Sequence, residues 1–258
     1  MNYTDLLNAQ QKYNISKTDL VSRNGYQNIL SKVVIAPAWS HTIFEPFCEK
    51  IEQIGEKVYN LYGKNFNFSF IEIANIGAPA TVETVLTLGA TNCKQIVFIG
   101  SAGALDQEIK IGDIVIPQYS LNGVGACRYL FQDRADDFEQ KYYPHQTLSN
   151  QLIDCAKNVC PDKTIFNVPN YSVDTVFAQF AHIDHIISLG AKTIEMETSA
   201  LFKCAEIANM QAAALFCISD NSIAKKSLFS GRNEQEKILR KSVRQNIIPQ
   251  IVINLFKN

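Results

Sequence analysis

The chain has little of what several protein classes require. Lys and Arg number 24 against 25 Asp and Glu in 258 residues, so no charge excess points to nucleic acid or to an anionic membrane surface. No apolar run approaches the roughly 20 residues of a membrane span. The opening MNYTDLLNAQQKYN has no basic start leading into an apolar stretch, so no secretory leader is expected and the cytoplasm is the expected location. The seven cysteines, Cys48, Cys93, Cys127, Cys155, Cys160, Cys204 and Cys217, are odd in number, scattered and without a CxxC pair. That argues against a disulfide framework and against a zinc site, and no metal is expected. GxGxxG is absent and no GK[ST] follows a glycine loop, which excludes the dinucleotide and Walker A readings. There is no internal repeat, no low-complexity tract and no Pro/Gly/Ser-rich linker.

What is present is enough apolar material, 47% of residues, for one large core. Short β-branched runs alternate with helical patterns. KVVIAPA (residues 32–38), FNFSFIEIANIG, KQIVFIGSAGAL, GDIVIPQYSL, TIFNVPNYSV, KTIEM and QAAALFCISD read as strands or extended segments. CEKIEQIGEKVYNLYG carries Ile51, Ile54, Val58 and Leu61 at helical spacing and ends at Gly63, which predicts a helix. PATVETVLTLGATN, parts of 134–160, FAQFAHIDHIISLG, ETSALFKCAEIAN and the closing RNEQEKILRKSVRQNIIPQIVINLF are also predicted helical. Residues 1–31 are expected to be an N-terminal extension packing on the domain or on a neighbouring subunit. Residues 32–258 are expected to form a single-domain three-layer α/β/α sandwich with a mixed central sheet.

Sheets of this kind hold ligands beyond the carboxyl ends of their strands. Four strand ends carry small or polar residues: APAWSHT, the GSAG turn at Gly100–Gly103, EME at Glu195–Glu197, and Ser219-Asp220. Gly100, Ser101 and Gly103 would let backbone N–H groups approach an anion or a sugar hydroxyl, although alone the segment reads as a plain turn. Taken singly, Glu195 and Glu197 are acids favoured by a helix start, and Asp220 caps a turn with Asn221 and Ser222. His182 and His185, three apart on a predicted helix, lack a third ligand and read as a solvated face.

In combination, FIGSAGALDQEIKIGDIVIP, IEMETSAL and CISDN resemble the nucleoside phosphorylase superfamily, which includes hexameric purine nucleoside phosphorylases, uridine phosphorylases and methylthioadenosine/adenosylhomocysteine nucleosidases. The resemblance runs from about Lys32 to the C-terminus and implies that family's fold. It makes Glu197 the acceptor of both ribose hydroxyls, a role suited to two acceptor oxygens. It places Met196 against the sugar and Glu195 beside them, orienting the site or touching the base. Asp220 becomes the acid that protonates a purine at N7, with Ser219 beside the base, and the SD pair favours a purine over uridine. Arg232 falls one residue off the arginine that approaches this aspartate in hexameric purine phosphorylases. NYSVDTVFAQ matches a base-pocket segment and offers Val176 and Phe177, with Phe177 the aromatic; a core position for Phe177 is the other reading. Gln179 lies near a uracil-binding glutamine, but Ala181 stands close to the place of the arginine that works with it.

The departures fall at the phosphate site. Phe98 and Thr42 occupy the positions of the two phosphate-binding arginines, which leans the expected reaction towards hydrolysis. Arg128, Lys94 or a neighbouring subunit would have to compensate in a phosphorylase. The nucleosidases' water-activating glutamate is also missing, with His41 or Glu45 as substitutes. Trp39, the one tryptophan, lies in the first strand-end loop, covering the cleft or packing at an interface. The expected activity is cleavage of the N-ribosidic bond of a purine nucleoside, 5′-substituted or not. A phosphate-dependent purine nucleoside phosphorylase and a non-catalytic nucleoside-binding protein are the alternatives. No cofactor is expected, with phosphate a co-substrate only in a phosphorylase. The partners expected are a small nucleoside and further copies of the chain, as a homodimer or a trimer of dimers.

Overall fold

The computed structural model describes residues 1–131, 137–227 and 229–257. In chain order the elements are α1 (Tyr3–Lys12), α2 (Lys17–Arg23), β1 (Lys32–Pro37), β2 (Lys50–Gly55), β3 (Val58–Gly63), β4 (Phe66–Ile73), α3 (Ala78–Leu88), β5 (Gln95–Ala104) and β6 (Ile114–Gly123). There follow β7 (Lys141–Tyr142), α4 (Gln146–Val159), β8 (Ile165–Val173), α5 (Ile183–Ser188), β9 (Thr193–Glu195), α6 (Thr198–Ile207), β10 (Gln211–Asn221), α7 (Glu234–Ser242) and α8 (Ile248–Phe256). One π-helical turn, Val243–Ile247, joins α7 to α8.

The central strands read as unbroken apolar runs because both of their faces are buried. In β1, Val33 and Ile35 face one core while Val34 and Ala36 face the other; in β5, Ile96 and Phe98 oppose Val97 and Ile99 in the same way. The first core is covered by α3 and α6, the second by α4 and α8. The chain is thus a mixed α/β domain with helices on both faces of one mixed sheet. Residues 1–31 supply α1 and α2, and Leu6 and Val21 from these helices pack on the first core. Tyr3 also ties this segment to α3, donating its hydroxyl to the carbonyl of Leu86 at 2.5 Å. No helix among the described residues is long and apolar enough to cross a membrane.

The sheet closes on itself. β5 pairs in parallel with β1 and β10, and its last residues, Gly103 and Ala104, pair with Ile194 and Thr193 of β9. β9 pairs with β8, β8 with β6, and β6 with β10, which completes a ring of five strands. β1, β4, β3 and β2 continue outward from β5 as an open wing. Closure brings the carboxyl ends of β5, β9 and β10 to one rim.

Three local expectations are corrected. Residues 48–63 form the β2–β3 hairpin instead of a helix, with Lys57 in the left-handed region (φ 57°) at its turn. The three- and four-residue spacing of Ile51, Ile54, Val58 and Leu61 is no helical stripe here: β3 docks on β4, where Val58, Tyr59 and Tyr62 suit a pleated surface. The helix expected over 177–190 is a 3-10 turn, Ala178–Ala181, followed by the short α5. In 134–160, the helix is α4 alone, and residues 134–136 lie outside the described set.

Candidate active site

GSAG is not a turn. All four residues belong to β5, so the two-residue period of the strand decides which of them face the cleft. Ala102 continues the face of Phe98 into the core, and Gly100 packs against Phe98 and Phe216 on that same side. Ser101 and Gly103 point the other way, into a cavity of about 320 Å³ at the rim. Gly100, expected at the anion turn, is therefore turned away from it.

Ser219 and Asp220 are consecutive in β10, yet both line this cavity. A β-bulge makes this possible: Ile218 pairs with Ala102 and Asp220 with Gly103, so Ser219 is the extra residue, and a bulge re-aims the side chains beside it. The carboxylate lies against the β5 backbone where that strand has no side chain; a Cβ on Gly103 would stand 3.0 Å from Asp220 Oδ2. The Ser219 hydroxyl donates to Asp220 Oδ1 at 2.5 Å. Burial raises the Asp220 pKa above the ordinary carboxylate value, opposed by that hydroxyl and by Arg232 and Arg240. Arg232 donates from Nη1 to the carbonyl of Ser219 at 3.3 Å, so it does reach this strand end.

Glu195 and Glu197 have different surroundings. Glu195 Oε1 accepts from Asn170 Nδ2 at 2.8 Å, from Ser172 Oγ at 2.5 Å and from Thr198 Oγ1 at 2.8 Å. Its Oε2 accepts the backbone amides of Glu197 and Thr198 at 2.7 and 2.9 Å. With two oxygens so occupied, Glu195 holds the β9–α6 junction together. Glu197 Oε1 takes the amide of Gly77 at 2.6 Å, and Oε2 takes that of Met196 at 3.2 Å. Glu197 is buried (6% exposed) and lines the cavity with Met196. Burial, and then the charge of Glu195, push its pKa up to about 8.

Val176 and Gln179 line the cavity, as expected of a base pocket, but Phe177 does not and is 94% exposed. The expected packing of Phe177 on a base is not present in this chain alone. The 3-10 turn that begins at Ala178 turns Phe177 outward while leaving Gln179 buried. His41 is not a cavity residue either. Its Nδ1 lies 2.7 Å from Glu72 Oε1, and its ring stacks on Tyr59 at 3.7 Å, so it anchors the first loop. Glu45 is exposed on the same turn.

The residues missed from the sequence are Arg240 and Arg244. They stand four apart on the inward face of the C-terminal helices, beside the buried Val243, and both line the cavity. Arg240 Nη2 donates to Ser101 Oγ at 3.2 Å; Arg244 Nη2 donates to the Ala38 carbonyl at 3.1 Å, with its guanidinium 4.5 Å from the Trp39 ring centroid. Trp39 is 4% exposed and lines the same cavity. The signal was two cations at i and i+4 on a helix stripe otherwise set by Val243 and Ile248. Phe98 is fully buried in the first core and Thr42 is exposed, so neither position offers a cation. Lys94 sits at the opposite end of β5, and neither it nor Arg128 lines the cavity.

Comparison with known proteins agrees with this arrangement. The family model described as the phosphorylase superfamily matches residues 67–247. A DeoD-type purine nucleoside phosphorylase from Exiguobacterium sp. is 25% identical over 198 residues, covering 72% of this chain and 78% of that protein. The DeoD-type enzyme of Bacillus subtilis is 22% identical over 194 residues, covering 72% and 78%. The crystal structure of uridine phosphorylase from Vibrio fischeri superposes with a TM-score of 0.74 at 16% identity, over 90% of this chain and 95% of that one. With the family model spanning more than half of its length and the ends of β5, β9 and β10 inside the match, this chain belongs to the phosphorylase superfamily, whose nucleoside phosphorylases cleave N-glycosidic bonds.

Proposed function

We propose that the chain cleaves the N-ribosidic bond of a purine nucleoside, 5′-substituted or not, and releases the free base. The observation that carries this reading is the meeting of Asp220 and Glu197 in one cavity, each with its carboxyl pKa raised by burial. Glu197 accepts the 2′- and 3′-hydroxyls, with Met196 against the sugar. Glu195 acts through Glu197 as a positioning residue. Asp220, oriented by Ser219, gives a proton to N7 as the C1′–N9 bond breaks, so the bonding electrons leave on a neutral base. Val176 and Ile76 give the base an apolar wall. No cofactor is called for, and phosphate is the co-substrate of the family's phosphorylases.

Retention of a buried acid beside the diol acceptor favours turnover over a protein that only binds nucleosides. Purine specificity rests on Asp220, for which a pyrimidine offers no N7. A homo-oligomer belongs to the same reading, since Ile76 of the cavity wall and Phe177, next in the chain to the cavity-lining Val176, are exposed apolar side chains; the cytoplasm is its expected location. The test is to incubate the protein with purine and pyrimidine nucleosides, with and without phosphate, and to separate free base by chromatography. Release of adenine, guanine or hypoxanthine is expected. A panel with every purine nucleoside intact, or with uridine cleaved fastest, rejects the reading.

A further inference from the structure

The segment 174–179 serves two cavities. Val176 and Gln179 line the one already described, while Asp174, Thr175, Ala178 and Gln179 line a second, of about 220 Å³. The floor of the second is largely apolar: Tyr171, Val173 and Ile186 belong to a small buried cluster of their own. Tyr171 is 3% exposed, and its hydroxyl makes no hydrogen bond among the described residues. The oxygen is not sealed in protein, so it opens on the cavity. Burial first, and then the charge of Glu139, raise its pKa to about 12, so it stays a neutral donor and acceptor. Gly123 of β6 lets the ring lie where it does, because a Cβ there would collide with it. The carboxamide of Gln179, 9% exposed, also makes no hydrogen bond among the described residues. Buried polar groups nearly always have a partner. Two without one, on the wall of one cavity, call for a ligand that supplies it.

The rim sets the charge of that ligand. His185 Nε2 lies 2.6 Å from Glu139 Oε1, and Asp174 Oδ2 accepts the amide of Gly125 at 2.9 Å. Among the described residues no Lys or Arg lines the cavity, so an anion would meet two carboxylates and no fixed cation. We propose that this cavity binds a neutral, planar heteroaromatic molecule of the size of one nucleobase, its edge on Tyr171 and Gln179 and its faces against Val173, Ile186 and the Phe138 ring. A hydroxyl and a carboxamide each donate and accept, which matches a ring edge carrying both N–H groups and acceptor nitrogens or carbonyls. A hydrocarbon would leave both groups unpartnered, and a sugar would set its hydroxyls against apolar walls. The volume is below the roughly 300 Å³ at which sites for drug-sized ligands begin. It is also below the 320 Å³ of the first cavity, where the proposed nucleoside brings a sugar as well as a base. The site does not depend on the cleavage proposed above.

The experiment titrates adenine into the full chain by calorimetry. Binding is expected, and Tyr171→Phe should weaken it about 3- to 10-fold, the size of one neutral hydrogen bond. Ala178→Phe, which puts a ring at the exposed mouth, should abolish it. Both variants should keep the wild-type circular dichroism, since the Tyr171 hydroxyl has no partner to lose and Ala178 is exposed. Trp39 is the single tryptophan and lines the first cavity, so its fluorescence reports adenine there and separates the two sites. Its response to adenine should be the same in all three proteins. No adenine heat in wild type, heat unmoved by both variants, or a Trp39 response that weakens in parallel with the heat overturns the proposal. Indole keeps the ring size and one N–H donor but lacks the acceptors, and should bind about tenfold more weakly than adenine. Equal affinity overturns the ligand class. No turnover enters these readouts, so an inert enzyme leaves the site standing and loss of the site leaves the N-ribosidic reading untouched.

Discussion

The backbone amide of Glu197 donates to Glu195 Oε2 at 2.7 Å, so the first carboxylate of the EME segment fixes the position of the second. Glu195 is held by two backbone amides and three side-chain donors, and Glu197 retains its capacity to accept from a ligand.

Glu195→Gln puts an amide NH2 where one carboxylate oxygen accepted, so at least one buried donor loses its partner. The cost is about 1–3 kcal/mol, and each kcal/mol lowers Tm by about 2–4 °C at this chain length. Nucleoside KM should rise as well, because Glu197 loses its support. Differential scanning calorimetry and initial rates check both; a variant with wild-type Tm and KM would return Glu195 to a passive place.

Glu197→Gln should lower kcat/KM by about 10- to 100-fold, since a donor then faces the diol. Its pH signature is separate. Burial first, and the Glu195 charge second, raise the folded-state pKa of Glu197 from 4.5 to about 8. A group raised on folding stabilises the fold fully below its unfolded pKa, and that contribution is lost as pH rises through about 8. Wild-type Tm without ligand should therefore decline from pH 5 to 8.5, more steeply than that of Glu197→Gln. Asp220 contributes in the same sense, so the variant's slope is reduced without vanishing. Parallel Tm profiles for the two proteins would sink this account.

Asp220→Asn removes the proposed proton donor but keeps the shape. A fall in kcat of about 10²–10⁴-fold is expected with nucleoside binding largely intact. A nitrophenyl riboside, whose leaving group needs no proton, should lose far less. Equal losses on both substrates would make Asp220 structural.

Gly103→Ala tests the approach of Asp220 to β5. The new methyl would stand 3.0 Å from Asp220 Oδ2 and 3.2 Å from Ile194 Cγ2, so the carboxylate must shift by a few tenths of an ångström. kcat should drop about tenfold, given how steeply rate depends on placement, with the protein still folded by circular dichroism. An unchanged kcat would show that the carboxylate tolerates displacement.

The sequence by itself determined the core strands, the helices α3, α6 and α8, and the strand-end places of Glu197, Asp220 and Ser101, which line the cavity. Each of these is written in a short stretch: an apolar run buried on both faces, a helical stripe, or a motif whose members are neighbours in the chain. Tertiary structure decided the rest. The β2–β3 hairpin formed because β4 offered it an edge, a partner that helical spacing within 48–63 does not register. Phe177 and His41 left the site because a 3-10 turn directed one outward and Glu72 with Tyr59 captured the other. Strand period turned Gly100 away from Ser101, and a bulge that no single residue announces turned Ser219 and Asp220 the same way. Arg240 and Arg244 lie 139 and 206 residues from the groups they touch, Ser101 and Ala38. Only packing the C-terminal helices on the second core sets their charges at the cleft, because burial of Val243, Ile248 and Val252 fixes which helix face turns inward.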